Sequence, residues 1–312
     1  MVDNTAVIGA GIMGRGIALV YALNGCRVRL YDAAETALER AKKLIDADLA
    51  LMVEEGLCTD TERLQALEKI LVTGSLADAV GSAEFITEAV PEQLELKWQV
   101  FASIEALAPP GAIIASNTST LPLSELARYT EHPERMIITH FFNPGHLVPL
   151  VEVIKSLKTP AEVVADTLAF LRRAGKVPVV LKKEVPGFIA NRLQAAVVRE
   201  ALHLVHSGVA DMHDVDTAMT CGPGFRWSII GPLETADFGG LDTWQSVMNN
   251  LAPELDDSRT APALLKELNR QGHLGVKTGQ GFYAYPTGEV VAGKIRNRDL
   301  AFIRLLKLRG QR

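Results

Sequence analysis

Residues 5–32 limit what this chain can fold into more than any other stretch. Thr5-Ala-Val-Ile8 reads as a short buried strand, and Gly9-x-Gly11-x-x-Gly14 follows at once. A helical pattern then runs to Asn24-Gly25, where Gly25 suits the position just past a helix end. Residues 26–32 read as a second strand that ends in an acid, Asp32. Strand, glycine turn, helix and strand in so short a span form a parallel βαβ unit, with the helix crossing back over the strands.

In that setting each glycine has a task. Gly9 permits the tight turn, Gly11 lets a pyrophosphate approach the backbone, and Gly14 lets helix and strand pack closely. Ile12 and Met13 lie inside the turn, and the helix N-terminus that opens there offers unpaired N–H groups to phosphate. Asp32, 18 residues after Gly14, is placed to accept hydrogen bonds from ribose hydroxyls and to repel a 2′-phosphate. Ala33 and Ala34 follow it, so no arginine stands there to receive that phosphate. The expected cofactor is NAD rather than NADP. FAD is the competing reading, and the residues after the loop fit it less well.

The rest of the chain extends the pattern. Helix formers fill 35–56 and 60–69, and short apolar runs recur at 85–88, 112–115, 136–139, 150–154 and 177–181. Strands alternating with helices predict an α/β fold with a doubly wound, mainly parallel sheet. Pro178 suits an edge strand or a strand start. After residues 182–187 the strand signals nearly vanish. Ile189, Leu193, Ala196, Val197, Ala201, Leu204 and Val205 recur at helical spacing up to Gly208. The expected division is therefore a cofactor-binding domain at 1–185 and a mostly helical domain at 186–312. The tail, 294–312, carries seven Lys/Arg and one acid around Phe302, Ile303, Leu305 and Leu306. It reads as an amphipathic surface or dimer helix.

Composition excludes several alternatives. Of 312 residues 48% are hydrophobic, enough for a real core, and the net charge of −5 argues against general nucleic-acid binding. No apolar run approaches the roughly 18 residues that span a membrane. Cys26, Cys58 and Cys221 are scattered and form no zinc pattern, so no metal is expected. With no basic, apolar leader at the start, the expectation is a cytoplasmic protein acting on a small molecule, without nucleic-acid or membrane partners.

Histidine is the usual proton shuttle between alcohol and ketone. Of the seven histidines, only His140 directly ends a strongly apolar strand-like run, at the sheet edge where ligands bind in such folds. A structural histidine is the alternative. Glu152 sits inside Leu150-Val-Glu-Val-Ile154, where a charge needs a partner or a place at a solvated edge. Ser116-Asn-Thr-Ser-Thr120 follows a strand and offers hydroxyl and amide groups, including Asn117 and Ser119, for a ligand or for capping a helix. Asn191, early in the first helix of the second domain, is a helix-face residue or a substrate contact.

These motifs together resemble the L-3-hydroxyacyl-CoA dehydrogenase superfamily. The resemblance is carried by Gly9-Ala-Gly-Ile-Met-Gly14, Ser116-Asn-Thr-Ser119, His140-Phe-Phe-Asn-Pro144, Leu150-Val-Glu-Val153, Pro186-Gly-Phe-Ile-Ala-Asn-Arg-Leu193 and Lys277-Thr-Gly-Gln-Gly-Phe-Tyr283. It implies that His140 is the general base and acid, that Glu152 orients it, and that Ser119 and Asn191 hold the reacting substrate oxygen. It further implies that Glu92, Lys97, Asn117, Asn143 and Lys277 belong to the NAD site, that residues 35–69 hold CoA in relatives, with Arg40, Lys42 and Lys43 as candidates here, and that the protein is a homodimer.

Other segments lean elsewhere. Gly222-Pro-Gly-Phe-Arg226, Val90-Pro-Glu-Gln-Leu-Glu-Leu-Lys97, Pro149 and the 298–308 tail resemble the λ-crystallin/L-gulonate 3-dehydrogenase branch. Arg226 could clamp the carboxylate of a free 3-hydroxy acid, or form a structural ion pair. The expected substrate is a short L-3-hydroxyacyl-CoA such as 3-hydroxybutyryl-CoA. The alternatives are a free 3-hydroxy acid such as L-gulonate and, beyond both, a redox-inactive NAD-binding structural protein.

Overall fold

The computed structural model describes residues 2–310 and divides into two units, Met1–Ile189 with Ile295–Arg312, and Ala190–Lys294. The first unit runs β1 (Asn4–Ile8), α1 (Ile12–Leu23), β2 (Arg27–Tyr31), α2 (Glu35–Glu54), α3 (Asp60–Lys69), β3 (Ile70–Thr73), α4 (Leu76–Val80) and β4 (Phe85–Glu88). It continues through α5 (Leu94–Leu107), β5 (Ile113–Ser116), α6 (Leu123–Leu126), β6 (Met136–Phe141), β7 (Leu150–Ile154), α7 (Ala161–Arg173) and β8 (Val177–Val180).

The strands make one sheet in the order β3-β2-β1-β4-β5-β6-β7-β8. Every pairing is parallel except β6 with β7. Those two strands are joined by residues 142–149 alone, too few for the crossover that a parallel pair requires. The expected mainly parallel sheet is thus present, with Pro178 on its edge strand β8.

Strand β3 is an element that the sequence reading lacks. Ile70-Leu-Val-Thr73 follows α3 without a turn residue, so the run looks like the end of the helix. The start of α3 is well marked, because Thr59 and Glu62 close a reciprocal capping box.

Side chains alternate between two cores. Val7, Leu30, Phe85 and Val151 pack with α1, α2 and α7, while Ile8, Ile86, Ile114 and Ile138 pack with α4, α5 and α6. Tyr31, Ile8, Glu88 and Ser116 stand in register across the sheet. The residues just beyond them, Asp32, Gly9 and Asn117, therefore emerge at one carboxyl edge. β6 reaches the same edge and runs past it, since Ser116 pairs with Ile138.

In the second unit the chain forms α8 (Ala190–His206), α9 (Met212–Cys221), α10 (Pro223–Trp227), α11 (Pro232–Gly239), α12 (Leu241–Leu251) and α13 (Ala263–Arg270). The apolar periodicity expected for α8 is present, yet Leu202 is its one buried residue, and α9, α10, α12 and α13 bury none.

Helix α14 (Gly288–Leu308) begins in the second unit and crosses into the first at Ile295. From there its stripe is internal: Ile303 and Leu306 are buried in the core that α1 and α2 share. Arg296 pairs with Glu54 and Arg304 with Glu55, at the end of α2. The apolar stripe of the amphipathic tail thus packs in the first unit, with Arg296 and Arg304 at the surface. Among the described residues no helix is long and apolar enough to cross a membrane.

Candidate active site

Strand pairing builds the centre of the site. His140 on β6 stands opposite Glu152 on β7. Their side chains share a face, and His140 Nδ1 lies 2.9 Å from Glu152 Oε2. Both residues are buried, at 3% and 1% exposure. The other carboxylate oxygen, Oε1, accepts the Ile189 backbone N–H at 2.8 Å. An ionised carboxylate can only accept, so Nδ1 carries the proton of the His140–Glu152 bond. In the neutral ring that tautomer leaves a lone pair on Nε2.

Two aromatic rings confine the imidazole: Phe142 at 4.4 Å and Phe188 at 5.4 Å between ring centres. Phe188 is a functional candidate that sequence reasoning missed. It keeps a left-handed φ of 54° after Gly187 at 74°. Such a conformation costs a non-glycine residue about 1–3 kcal/mol, which burial of the ring offsets. A phenylalanine inside Pro186-Gly-Phe carries no local mark of that role.

A second network lies at the ends of β4 and β5. Glu88 is fully buried, and its carboxylate accepts from Lys97 Nζ at 2.7 Å, Ser116 Oγ at 2.6 Å and the Val90 N–H at 2.8 Å. Lys97 is also buried and reaches Glu92 at 3.2 Å. Glu92 in turn accepts from the Thr118 hydroxyl, from the N–H groups of Ser119 and Thr120 at 3.0 and 3.1 Å, and from Thr120 Oγ1. Burial alone would raise the Glu92 carboxyl, but the Thr118 hydroxyl and the Lys97 ammonium hold it below the usual carboxylate range.

Glu92, Lys97 and Ser119 are thereby tied into one network at the carboxyl edge. Glu88 is a member that sequence reasoning missed; Ser116 and Thr118, from the 116–120 run expected to meet a ligand or cap a helix, here hold the carboxylates of Glu88 and Glu92. A charge ending the apolar run Phe85-Ile-Thr-Glu88 was the available signal, the same one that singled out Glu152. Asn117 links the two networks: its backbone N–H donates to Glu88 O at 2.8 Å, and its Oδ1 accepts the Phe141 N–H at 2.9 Å.

The glycine loop fits a dinucleotide. A Cβ on Gly14 would lie 1.7 Å from Gly9 O, and one on Gly9, at φ +105°, would lie 2.7 Å from Ala89 O. Gly11 faces open space, with nothing within 4 Å of its virtual Cβ. The first and third glycines thus close the turn, and the middle one leaves room for a phosphate. Helix α1 has no side-chain cap and no acid in its first turn, so its N–H groups remain available to an anion. Asp32 is held by the Ala10 N–H at 2.8 Å and the Ala34 N–H at 2.9 Å. Ile12 is exposed beside Gly11 and Met13 is half-buried.

Asn143 is exposed in the turn after β6. Asn191, half-exposed at the start of α8, accepts from Gln194 at 3.3 Å, while Arg226 and Lys277 are exposed. These last three residues belong to the second unit.

Known proteins match the chain over almost its whole length. The model of the 3-hydroxyacyl-CoA dehydrogenase NAD-binding domain matches residues 4–185, and that of the C-terminal domain of the same family matches residues 187–285. The 5-formyl-3-hydroxy-2-methylpyridine 4-carboxylate 5-dehydrogenase of Mesorhizobium japonicum is 35% identical over 97% of this chain and 98% of its own. The L-carnitine dehydrogenase of Streptomyces coelicolor is 36% identical over 99% and 96%. A probable 3-hydroxybutyryl-CoA dehydrogenase of Bacillus subtilis is 39% identical over 89% and 96%. Among solved structures, a 5-formyl-3-hydroxy-2-methylpyridine 4-carboxylic acid 5-dehydrogenase, described as an NAD+-dependent dismutase, superposes with a TM-score of 0.92. It is 34% identical and covers 99% of this chain and 98% of its own.

Proposed function

Since the chain belongs to the 3-hydroxyacyl-CoA dehydrogenase family of NAD-dependent oxidoreductases acting on CH–OH groups, we propose that His140 is the general base that takes the hydroxyl proton of a 3-hydroxy substrate. The observation that carries this reading is the buried His140–Glu152 pair at the carboxyl edge that also bears the glycine loop. His140 Nε2 accepts the proton as the alcohol becomes a ketone and returns it in the reverse direction. Glu152 holds Nδ1–H and balances the positive charge that the ring then carries. Bound NAD would supply the hydride acceptor for the carbinol carbon. Gly9, Gly11, Gly14 and the N-terminus of α1 bind its pyrophosphate, and Asp32 binds its adenosine ribose. The Glu92–Lys97 pair orients Ser119, which with Asn191 holds the substrate oxygen; Asn117 fixes the end of β6, and Asn143 and Lys277 complete the cofactor contacts.

For the substrate, a free 3-hydroxy acid is the better-supported form. Two relatives matched over 97% and 99% of this chain are named for free carboxylates, and one solved structure of such an enzyme follows nearly the whole chain. Arg226 is the residue to bind that carboxylate. The thioester reading is favoured by the family's own description and by the relative from Bacillus subtilis.

The test is NADH oxidation with acetoacetyl-CoA beside NAD reduction with L-3-hydroxybutyrate, L-gulonate and L-carnitine. Turnover of a free acid, with KM raised roughly 10–100-fold by Arg226→Ala, is expected. Turnover of the thioester alone overturns the free-acid form and leaves His140 in its role. The proposal extends to a homodimer formed through the second unit.

A further inference from the structure

Lys176 is a buried lysine with no part in the proton transfer just described. It lies between α7 and β8 with 6% of its surface exposed. Its ammonium donates to two backbone carbonyls, Gly145 O at 2.7 Å and Val148 O at 2.9 Å, and stands 5.8 Å from the centre of the Phe141 ring. Burial pushes its pKa down to about 7. An ammonium in such a place is destabilising unless its hydrogen bonds are made, so its value lies in what those bonds hold.

Both carbonyls belong to residues 142–149, the connection that joins β6, which carries His140, to β7, which carries Glu152. The same connection lies against the opening of α1. A Cβ on Gly16 would meet His146 N at 3.4 Å and Gly145 Cα at 3.5 Å, and one on Gly145 would meet Met13 Cε at 3.6 Å. The segment is therefore clasped between the cofactor helix on one side and Lys176 on the other. Its own turn, in which Val148 N–H donates to Pro144 O at 2.9 Å, leaves the Gly145 and Val148 carbonyls for the lysine.

We propose that Lys176 is a positioning residue: by holding the carbonyls of Gly145 and Val148 it keeps the 142–149 connection against α1 and so fixes His140 on Glu152 beside the bound cofactor. This rests on the reading of His140 as general base.

The test compares Lys176→Met, which keeps the stem and loses the donors, with Lys176→Gln, which returns a donor on a shorter stem. Both are measured as NADH complexes of the full chain. The first readout needs no substrate: the His140 Nδ1–H resonance in histidine-labelled protein. The second is kcat against KM for NAD, with whichever substrate of the panel above the wild type turns over.

Lys176→Met is expected to bind NADH within twofold of wild type, to lose or shift the Nδ1–H signal, and to drop kcat by about 10²-fold at unchanged KM for NAD. Lys176→Gln should recover part of both. An unchanged resonance with kcat within twofold overturns the proposal. If Lys176→Met fails to bind NADH, Lys176→Gln decides by the same two readouts. His140→Ala separates the two claims: turnover that survives it sinks the general-base reading. A dead His140→Ala beside an unaltered Lys176→Met sinks the positioning role alone.

Discussion

His140 has one ring nitrogen committed to Glu152 and the other left with its lone pair, so replacing it removes the proton acceptor and leaves the glycine loop untouched. His140→Ala should lower kcat by roughly 10²–10⁴-fold while NADH still binds, as read by fluorescence titration beside steady-state rates. Unchanged turnover would show that another group takes the proton. Much at this scale is legible in the chain itself: a histidine ending an apolar strand and a glutamate inside another announce themselves by chemical incongruity. Phe188 and Lys176 do not. An aromatic residue in a turn and a lysine after a helix are ordinary in sequence. Only the fold makes one the wall of the imidazole's pocket and buries the other against two carbonyls.

Among the elements, α1 and α14 make opposite cases. The glycines of the turn into α1 can be read in advance, because Gly9 and Gly14 are demanded by contacts with backbone a few residues away or in the neighbouring strand. For α14 the sequence offers an amphipathic stripe and no address. The structure brings Ile303 and Leu306 into the core shared with α1 and α2. Ile303→Ala should therefore destabilise the first unit by about 2–5 kcal/mol in urea melting, as a buried side chain does when a cavity replaces it. Arg296→Ala removes an exposed pair with Glu54 and should leave the midpoint nearly unchanged. Equal effects of the two would mean that the helix is held by its charges. Strand β3 failed to register in the sequence for the same physical reason: pairing with β2, and no local turn chemistry, makes it a strand.

At the scale of the whole molecule, the second unit leaves apolar surface that its own chain does not cover. Ile229, Leu233 and Phe238 are 73%, 83% and 78% exposed, and four of its helices bury nothing. A second copy meeting that surface would supply the missing core, so the protein should elute with twice the chain mass in light scattering. Leu233→Asp, which puts a charge on that face, should shift the population toward the monomer. A wild-type monomer at micromolar concentration would refute the dimer. What the sequence determined by itself was what short-range chemistry dictates: the βαβ opening, the dinucleotide turn, the change to helices near residue 187, and the polar residues too costly to bury without a purpose. Tertiary structure decided the rest. It made β6 and β7 antiparallel, so that His140 meets Glu152; it buried Glu88, Lys97 and Lys176 in networks, and it set the tail against α1 and α2. Those outcomes depend on which surfaces meet across long stretches of chain, and periodicity along a sequence records that a face is apolar without recording what covers it.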